Sequence, residues 1–339
     1  MNIKKFKNTF VIAEVGVNHN GDTKLAKRLI KEAAKAGADA VKFQTFKTDN
    51  LVTRIAELAE YQKNDLPEIS SQYNMLKKLE IDYEEHLELI KYAKEQKILF
   101  MSTGFDFQSN NMLNSLNLKV FKIPSGEITN LPYLRQIGSF KKDTILSTGM
   151  SSLGEIETAI DVLISNGCQK SQIKVLHCST QYPTPMDDVN LQSMITIKNA
   201  FNIEVGYSDH TTGIEVAIAA VALGGIIIEK HLTLDREMQG PDHKASIEPA
   251  EFKQMVDSIR NIEKALGSSK KSPNTNEIKN RALVRKSIIA ARQIEIGEKF
   301  NYKNITIKRP GTGLSPMLID EIIGKVSTKK YYEDDLITL

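Results

Sequence analysis

Eight short runs of apolar, mostly β-branched residues punctuate the first two-thirds of the chain. They lie at Val11–Val17, Ala40–Thr45, Ile98–Thr103, Val120–Ser125, Thr144–Met150, Ile173–Thr180, Ile203–Asp209 and Gly225–His231. Between most of them the apolar residues fall at helical spacing, as in Leu25, Ala26, Leu29, Ile30, Ala33 and Ala34. Apolar strands alternating with amphipathic helices require a parallel sheet covered on both faces, because each crossover lays a helix over the sheet. Eight such units in roughly 260 residues predict a (β/α)8 barrel. A doubly wound open sheet is the structural alternative. The strand count and the lack of Gly-x-Gly-x-x-Gly after the first strand argue against it.

The strand ends favour the barrel further. The first run carries Glu14, then Asn18 and His19; the second carries Lys42 and Gln44; the third Ser102 and Thr103; the fourth Lys122, Ser125 and Glu127. The remaining four end in Ser147-Thr148-Gly149, His177-Cys178-Ser179-Thr180, Ser208-Asp209-His210 and Glu229-Lys230-His231. Scattered through a core and left unpaired, such groups would each cost about 1–3 kcal/mol. Gathered at the C-terminal mouth of a barrel, they form one polar pocket.

The chain has 339 residues, more than one hydrophobic core usually organises, so a large domain with a small companion is expected. Composition shifts to linker type around Gly267–Asn276. The expected division is a barrel over 1–266, a coil linker over 267–282 and a small module of short strands over 283–339. The stretch 267–339 holds 14 Lys and Arg against 8 Asp and Glu, whereas the rest is slightly acidic. A connection from Lys47 to about Ile81, containing Tyr61-Gln62-Lys63-Asn64-Asp65, shows little regular pattern and reads as a lid or substrate loop.

Several classes are excluded. A net charge of +3 is too small to argue for nucleic acid, and no apolar run reaches the roughly 18 residues of a membrane span. The apolar run near the N-terminus is broken by Glu14 and lacks a small-residue cleavage site, unlike a signal peptide. Two cysteines, Cys168 and Cys178, do not make a disulfide framework, which points to the cytoplasm.

His210 and His231 end neighbouring strands, where two imidazoles suit a borderline divalent metal or, equally, two structural hydrogen bonds. His86 falls in a helical pattern and reads as surface; His243 reads as substrate-facing or solvated. Lys42 and Lys122 interrupt strands that otherwise read as core. A buried lysine needs a partner, either a carboxylate such as Glu127 or an anionic substrate. Thr103, Ser125, Ser147 and Ser208 add hydroxyls at the same level, which favours a phosphate or carboxylate ligand. Glu14 and Glu127 are candidate acid–base groups. Asp209 and Asp242 could support a metal or bind sugar hydroxyls.

Taken together, the strings AEVGVNHNGD at 13–22, AVKFQTF at 40–46, KIPSGE at 122–127, LSTGM at 146–150, HCSTQYPTP at 177–185, GYSDHTTG at 206–213, EKHLTLD at 229–235 and GPDHKASIEP at 240–249 resemble the sialic acid synthase family. The tail, from VRKSIIAARQIEIGEKF to ITIKRPGTGLSP, is similar to that family's antifreeze-like (SAF) domain. The resemblance implies condensation of phosphoenolpyruvate with an N-acylated mannosamine-type sugar and water, giving N-acetylneuraminate and phosphate. The alternative is legionaminic acid synthesis from 2,4-diacetamido-2,4,6-trideoxymannose. It further implies metal ligation by His210 and His231, usually of Mn2+. Lys42, Thr103, Lys122, Ser125, Ser147, Thr180 and Ser208 would bind phosphoenolpyruvate. Gln44, Tyr182, Asp242, Arg309 and also Glu14 would lie near the amino sugar. A domain-swapped homodimer is implied, with Arg309 reaching the neighbouring subunit. Gly104 departs from the family's usual proline, which would loosen the turn after Thr103. A Schiff-base barrel aldolase with Lys122 or Lys230 as nucleophile, and an ice-binding protein, are the rival classes.

Overall fold

In the computed structural model, residues 8–57 and 71–339 are described. Tyr61–Asp65 of the expected lid lie outside them. In the described part of that connection, the short helices Thr48–Leu51 and Gln72–Lys77 appear where little regular structure was expected.

Eight strands form one parallel sheet: β1 Phe10–Gly16, β2 Ala40–Thr45, β3 Leu99–Gly104, β4 Val120–Ile123, β5 Asp143–Ser147, β6 Ile173–His177, β7 Glu204–Asp209 and β8 Ile227–His231. Their order is β3-β2-β1-β8-β7-β6-β5-β4. β3 and β4 lie side by side, so the sheet curls into the expected barrel. Side-chain or backbone caps begin most of the covering helices. Asp82 with Glu85, and Ser152 with Glu155, form reciprocal capping boxes.

Strand side chains alternate between the two faces with a period of two. The outward set, including Val11, Ala13, Val41, Phe121, Val175 and Tyr207, packs with the helices. The inward set Phe10, Ile12, Ala40, Met101, Val120, Ile145, Leu176 and Ile227 forms a separate apolar plug inside the barrel. Two residues beyond a plug residue, or beyond Gly206 on β7, the inward positions turn polar: Glu14, Lys42, Thr103, Lys122, Ser147, Ser208 and Glu229. The strand ends therefore read as polar because one inward layer sits above the plug.

The chain divides at Gly267, and Ser268–Leu339 is a second compact unit. It contains an antiparallel pair, β9 Ser287–Ala290 and β10 Ile305–Lys308, over a core that includes Ile288, Ile294, Phe300, Ile305, Ile322, Tyr331 and Ile337. The coil linker expected over 267–282 needs correction, since Thr275–Val284 is an α-helix. Asn274 accepts from the Glu277 backbone and Glu277 returns the bond, a capping box that outweighs the polar composition. His86, expected at the surface, is buried: its ring nitrogens lie 2.7 Å from Thr45 Oγ1 and 2.6 Å from the Asp82 carbonyl.

β7 leaves no room for a side chain at Gly206. A Cβ there would meet the Ile227 carbonyl oxygen at 2.2 Å and Leu176 Cδ2 at 2.8 Å. Gly206→Ala should therefore overpack the barrel and lower its unfolding free energy by about 1–3 kcal/mol, read as a shifted urea midpoint. An unchanged midpoint would contradict this packing.

Candidate active site

A cavity of about 340 Å³ opens at the C-terminal ends of the barrel strands. Its floor is a buried cluster of four charges. Lys42 Nζ lies 2.6 Å from Glu14 Oε2 and 3.7 Å from Glu229 Oε1, and Lys122 Nζ lies 3.2 Å from Glu229 Oε1. Strand register produces this grouping: Glu14 sits opposite Lys42 on β2 and opposite His231 on β8, and Ser208 sits opposite Glu229. Lys122 thus pairs with Glu229 rather than with Glu127, the partner considered from sequence. Glu127 is half-buried in the turn Ser125–Glu127, accepts a 2.6 Å bond from Asn130 Nδ2, and does not line the cavity.

The two floor carboxyls are driven apart. Burial pushes Glu14 up to about 7, with Lys42 opposing it. Burial acts in the same direction on Glu229, but Lys122 and Lys42 outweigh it and hold that carboxyl at about 2. One carboxylate stays ionised while the other exchanges a proton near neutrality, as acid–base chemistry requires. Burial lowers Lys122; it acts likewise on Lys42, where Glu14 and Glu229 reverse the direction and raise it.

Hydroxyls surround this floor. Thr103 Oγ1 accepts from Lys42 Nζ at 3.0 Å, and Ser125 Oγ accepts from the Gly149 amide at 2.9 Å. Ser208 Oγ donates to Glu229 Oε1 at 3.2 Å. Ser147 Oγ and Glu229 Oε2 are buried without a hydrogen-bond partner among the described residues. Ser147 and Thr180 both line the cavity. Two ammonium groups beside several hydroxyls make an anion-binding surface.

The histidine pair stands beside it. His210 Nδ1 lies 2.5 Å from the Ser179 carbonyl, so Nδ1 carries the hydrogen and Nε2 keeps its lone pair. That Nε2 is 3.2 Å from the Tyr182 hydroxyl and 3.3 Å from Ser208 Oγ. Tyr182 stacks on His210 with ring centroids 4.1 Å apart, and the two imidazoles are 5.6 Å apart. Burial depresses His210 to about 4 and His231 well below its usual value, so both rings are neutral. His231 Nδ1 is buried and has no hydrogen-bond partner among the described residues. Two neutral imidazoles with available lone pairs fit a borderline divalent metal. Among the described residues no cluster of three or more His, Cys, Asp or Glu groups has metal-binding geometry. Such a metal would draw its other ligands from substrate or water.

A third side is made by Glu14, Gln44 and Asp242. Gln44 Nε2 is 3.5 Å from Glu14 Oε1, and burial raises Asp242 to about 6. All three converge on Gly16, which has φ of 56°. A Cβ there would lie 3.3 Å from Gln44 Nε2, 3.3 Å from Glu14 Oε1 and 3.4 Å from Asp242 Oδ2. Ser246 Oγ donates to the Asp242 carbonyl at 2.6 Å, and Asn18 Nδ2 reaches Ser246 at 2.9 Å, which fixes the Asp242 loop. His243 is neither solvated nor in the cavity; it is buried 2.7 Å from Thr233 Oγ1.

Two other expectations change. Gly104 is not a loose turn, because a Cβ there would come within 2.2 Å of Asn110 Oδ1, and Tyr133 donates to its carbonyl. Lys230 does not line the cavity; it donates to Asp209 Oδ2 at 2.8 Å and to the Thr211 carbonyl at 2.6 Å. Arg309 belongs to the second unit, where it is exposed and its Nε donates to the Val284 carbonyl at 3.0 Å. Glu229 is the member of the charged floor that sequence reasoning passed over. The signal was there: Ile227, Glu229 and His231 share one strand face, opposite to Lys230.

Residues 29–271 match the NeuB family and residues 285–339 the SAF domain. The chain belongs to the NeuB family. It is an enzyme, a member of a family of sugar acid synthases. It is 53% identical over 331 residues to N,N'-diacetyllegionaminic acid synthase of Campylobacter jejuni, spanning 98% of this chain and 99% of that one. The N,N'-diacetyllegionaminic acid synthase of Legionella pneumophila is 50% identical, over 93% of this chain and 89% of its own. Among solved structures, an N-acetylneuraminic acid synthetase from Leptospira borgpetersenii superposes with a TM-score of 0.71 at 37% identity, over 81% of this chain and 90% of that one.

Glu14 offers a test of the charged floor. Its folded pKa of about 7 lies above the ordinary 4.5, so its contribution to stability is present below 4.5 and is lost as pH rises through about 7. Relative to Glu14→Gln, the native enzyme should lose unfolding free energy between pH 4.5 and 7, measured by denaturant midpoints across that range. Parallel pH profiles would show that Glu14 titrates normally.

Proposed function

We propose that this enzyme condenses phosphoenolpyruvate with 2,4-diacetamido-2,4,6-trideoxymannose and water, yielding N,N'-diacetyllegionaminic acid and phosphate. The likeness to two N,N'-diacetyllegionaminic acid synthases, at 53% and 50% identity over nearly the whole chain, carries this choice. The N-acetylneuraminate reading that stands first from the sequence strings becomes the second. The Leptospira borgpetersenii synthetase, at 37% identity, supports it.

The cavity suits the chemistry. Lys42 and Lys122, with Thr103, Ser125, Ser147, Thr180 and Ser208, would neutralise and hydrogen-bond the phosphate and carboxylate of phosphoenolpyruvate. The enol carbon attacks the sugar aldehyde, water adds to the carbon that bore the phosphate, and phosphate leaves with its bridging oxygen. His210 and His231 would hold a divalent metal, Mn2+ being the expected ion, which when bound supplies Lewis-acid polarisation of the aldehyde. Glu14, with its pKa near 7, is placed to accept the proton released by water, and ionised Glu229 holds both lysines in position. Gln44, Asp242 and Tyr182 orient the sugar.

Purified enzyme should form the nine-carbon keto acid from the trideoxy sugar with a higher kcat/KM than from N-acetylmannosamine. With phosphoenolpyruvate labelled by 18O at the bridging position, the label should emerge in phosphate. Preference for N-acetylmannosamine, or label kept in the keto acid, would refute the assignment. Titration with Mn2+ followed by calorimetry should show binding to the native enzyme and none to His210→Ala; equal binding would remove the histidines from the metal site.

A further inference from the structure

One part of the cavity lining has no role in the chemistry above. Phe46, Leu51, Val52, Met75, Leu76 and Phe105 all face the cavity, and they pack together in one apolar cluster. They come from the loops that follow β2 and β3 and from the helix Gln72–Lys77, on the β1–β3 side of the barrel. His210 follows β7 and His231 ends β8, whereas Ser147 ends β5 and Ser125 and Thr180 lie beyond β4 and β6. The cavity therefore has a charged floor, a histidine side and an apolar wall.

We propose that this wall selects sugars by the substituent on C6, admitting a methyl group and rejecting a hydroxymethyl or phosphorylated one. This rests on the reading of the cavity as a sugar acid synthase site. With the phosphoenolpyruvate anion on the lysines and the aldehyde carbon beside His210 and His231, the far end of an open-chain sugar is what remains to meet the β1–β3 side. A hydroxyl pressed against the apolar side chains of that wall gives up bonds to water that they do not replace, whereas a methyl group gains apolar contact. The cations of the cavity lining, among the described residues, are Lys42 and Lys122, and both stand in the floor cluster rather than at the wall. A sugar phosphate would therefore meet no counter-charge at the wall. Gln72 is the polar side chain on this side and can serve an acetamido group.

The test uses a pair of substrates that differ only at C6, N-acetylmannosamine and its 6-deoxy analogue, with the native enzyme and with Val52→Thr and Leu51→Asn. Both positions are partly exposed, and the first exchange keeps the side-chain shape. The native enzyme should favour the 6-deoxy sugar in kcat/KM by about 10- to 100-fold, the discrimination an apolar pocket makes against one hydroxyl. The variants should lower that ratio by about threefold or more, by rescuing the hydroxymethyl sugar, with KM for phosphoenolpyruvate unchanged. N-acetylmannosamine 6-phosphate should not be turned over. A native ratio near one, a ratio unmoved in both variants, or efficient use of the 6-phosphate would overturn the wall's role while leaving the synthase reading intact. Failure to consume phosphoenolpyruvate with these sugars and with the trideoxy sugar alike would overturn the synthase reading, and this assignment with it.

Discussion

Four charges share a buried space inside the barrel, and the rest of the site is arranged around them. Two ammonium groups and two carboxylates leave water together, and neither ion pair is self-sufficient, since Glu229 accepts from Lys122 while standing 3.7 Å from Lys42. Deleting one member of such a set leaves an uncompensated buried charge, a loss of about 3–5 kcal/mol. The strands must therefore meet in the register that places Glu14 beside Lys42 and close to His231. The same crowding separates the carboxyls into one that is always ionised and one that titrates near neutrality. Stability and the two distinct protonation behaviours thus come from a single electrostatic arrangement.

Neighbouring features follow from it. The plug of Phe10, Ile12, Met101, Val120, Ile145, Leu176 and Ile227 underlies the charges and keeps water from them on that side. His210 and His231 are buried nearby with positive charge from Lys122 and Lys42 respectively among the influences that favour their neutral form, the form in which an imidazole binds metal. Asp242 and Gln44 approach Glu14 because Gly16 has no side chain to hold them off.

Much of this is legible in the sequence, for a definite reason. Apolar runs interrupted at one level by Lys42, Lys122, Ser147 and Ser208 disclose both the barrel and the face on which it works, since strand periodicity is local. Pairing between strands is not local. Nothing adjacent to Lys122 says that its partner is Glu229, 107 residues away, rather than the nearby Glu127. His86 has the spacing of a surface helix position, yet the fold brings Thr45 against it. In the linker the composition was misleading for the opposite reason. Its capping box is a short-range signal, and it prevailed over the polar residues around it.

The plug has one more consequence. A barrel solid below its charged layer is closed on that side, so among the described residues the charged floor is reached from the C-terminal mouth. A ligand held by the lysines would therefore lie deeper than one held against Leu51, Val52 and Phe105. Depth in the barrel thus separates the two positions, with no moving part required.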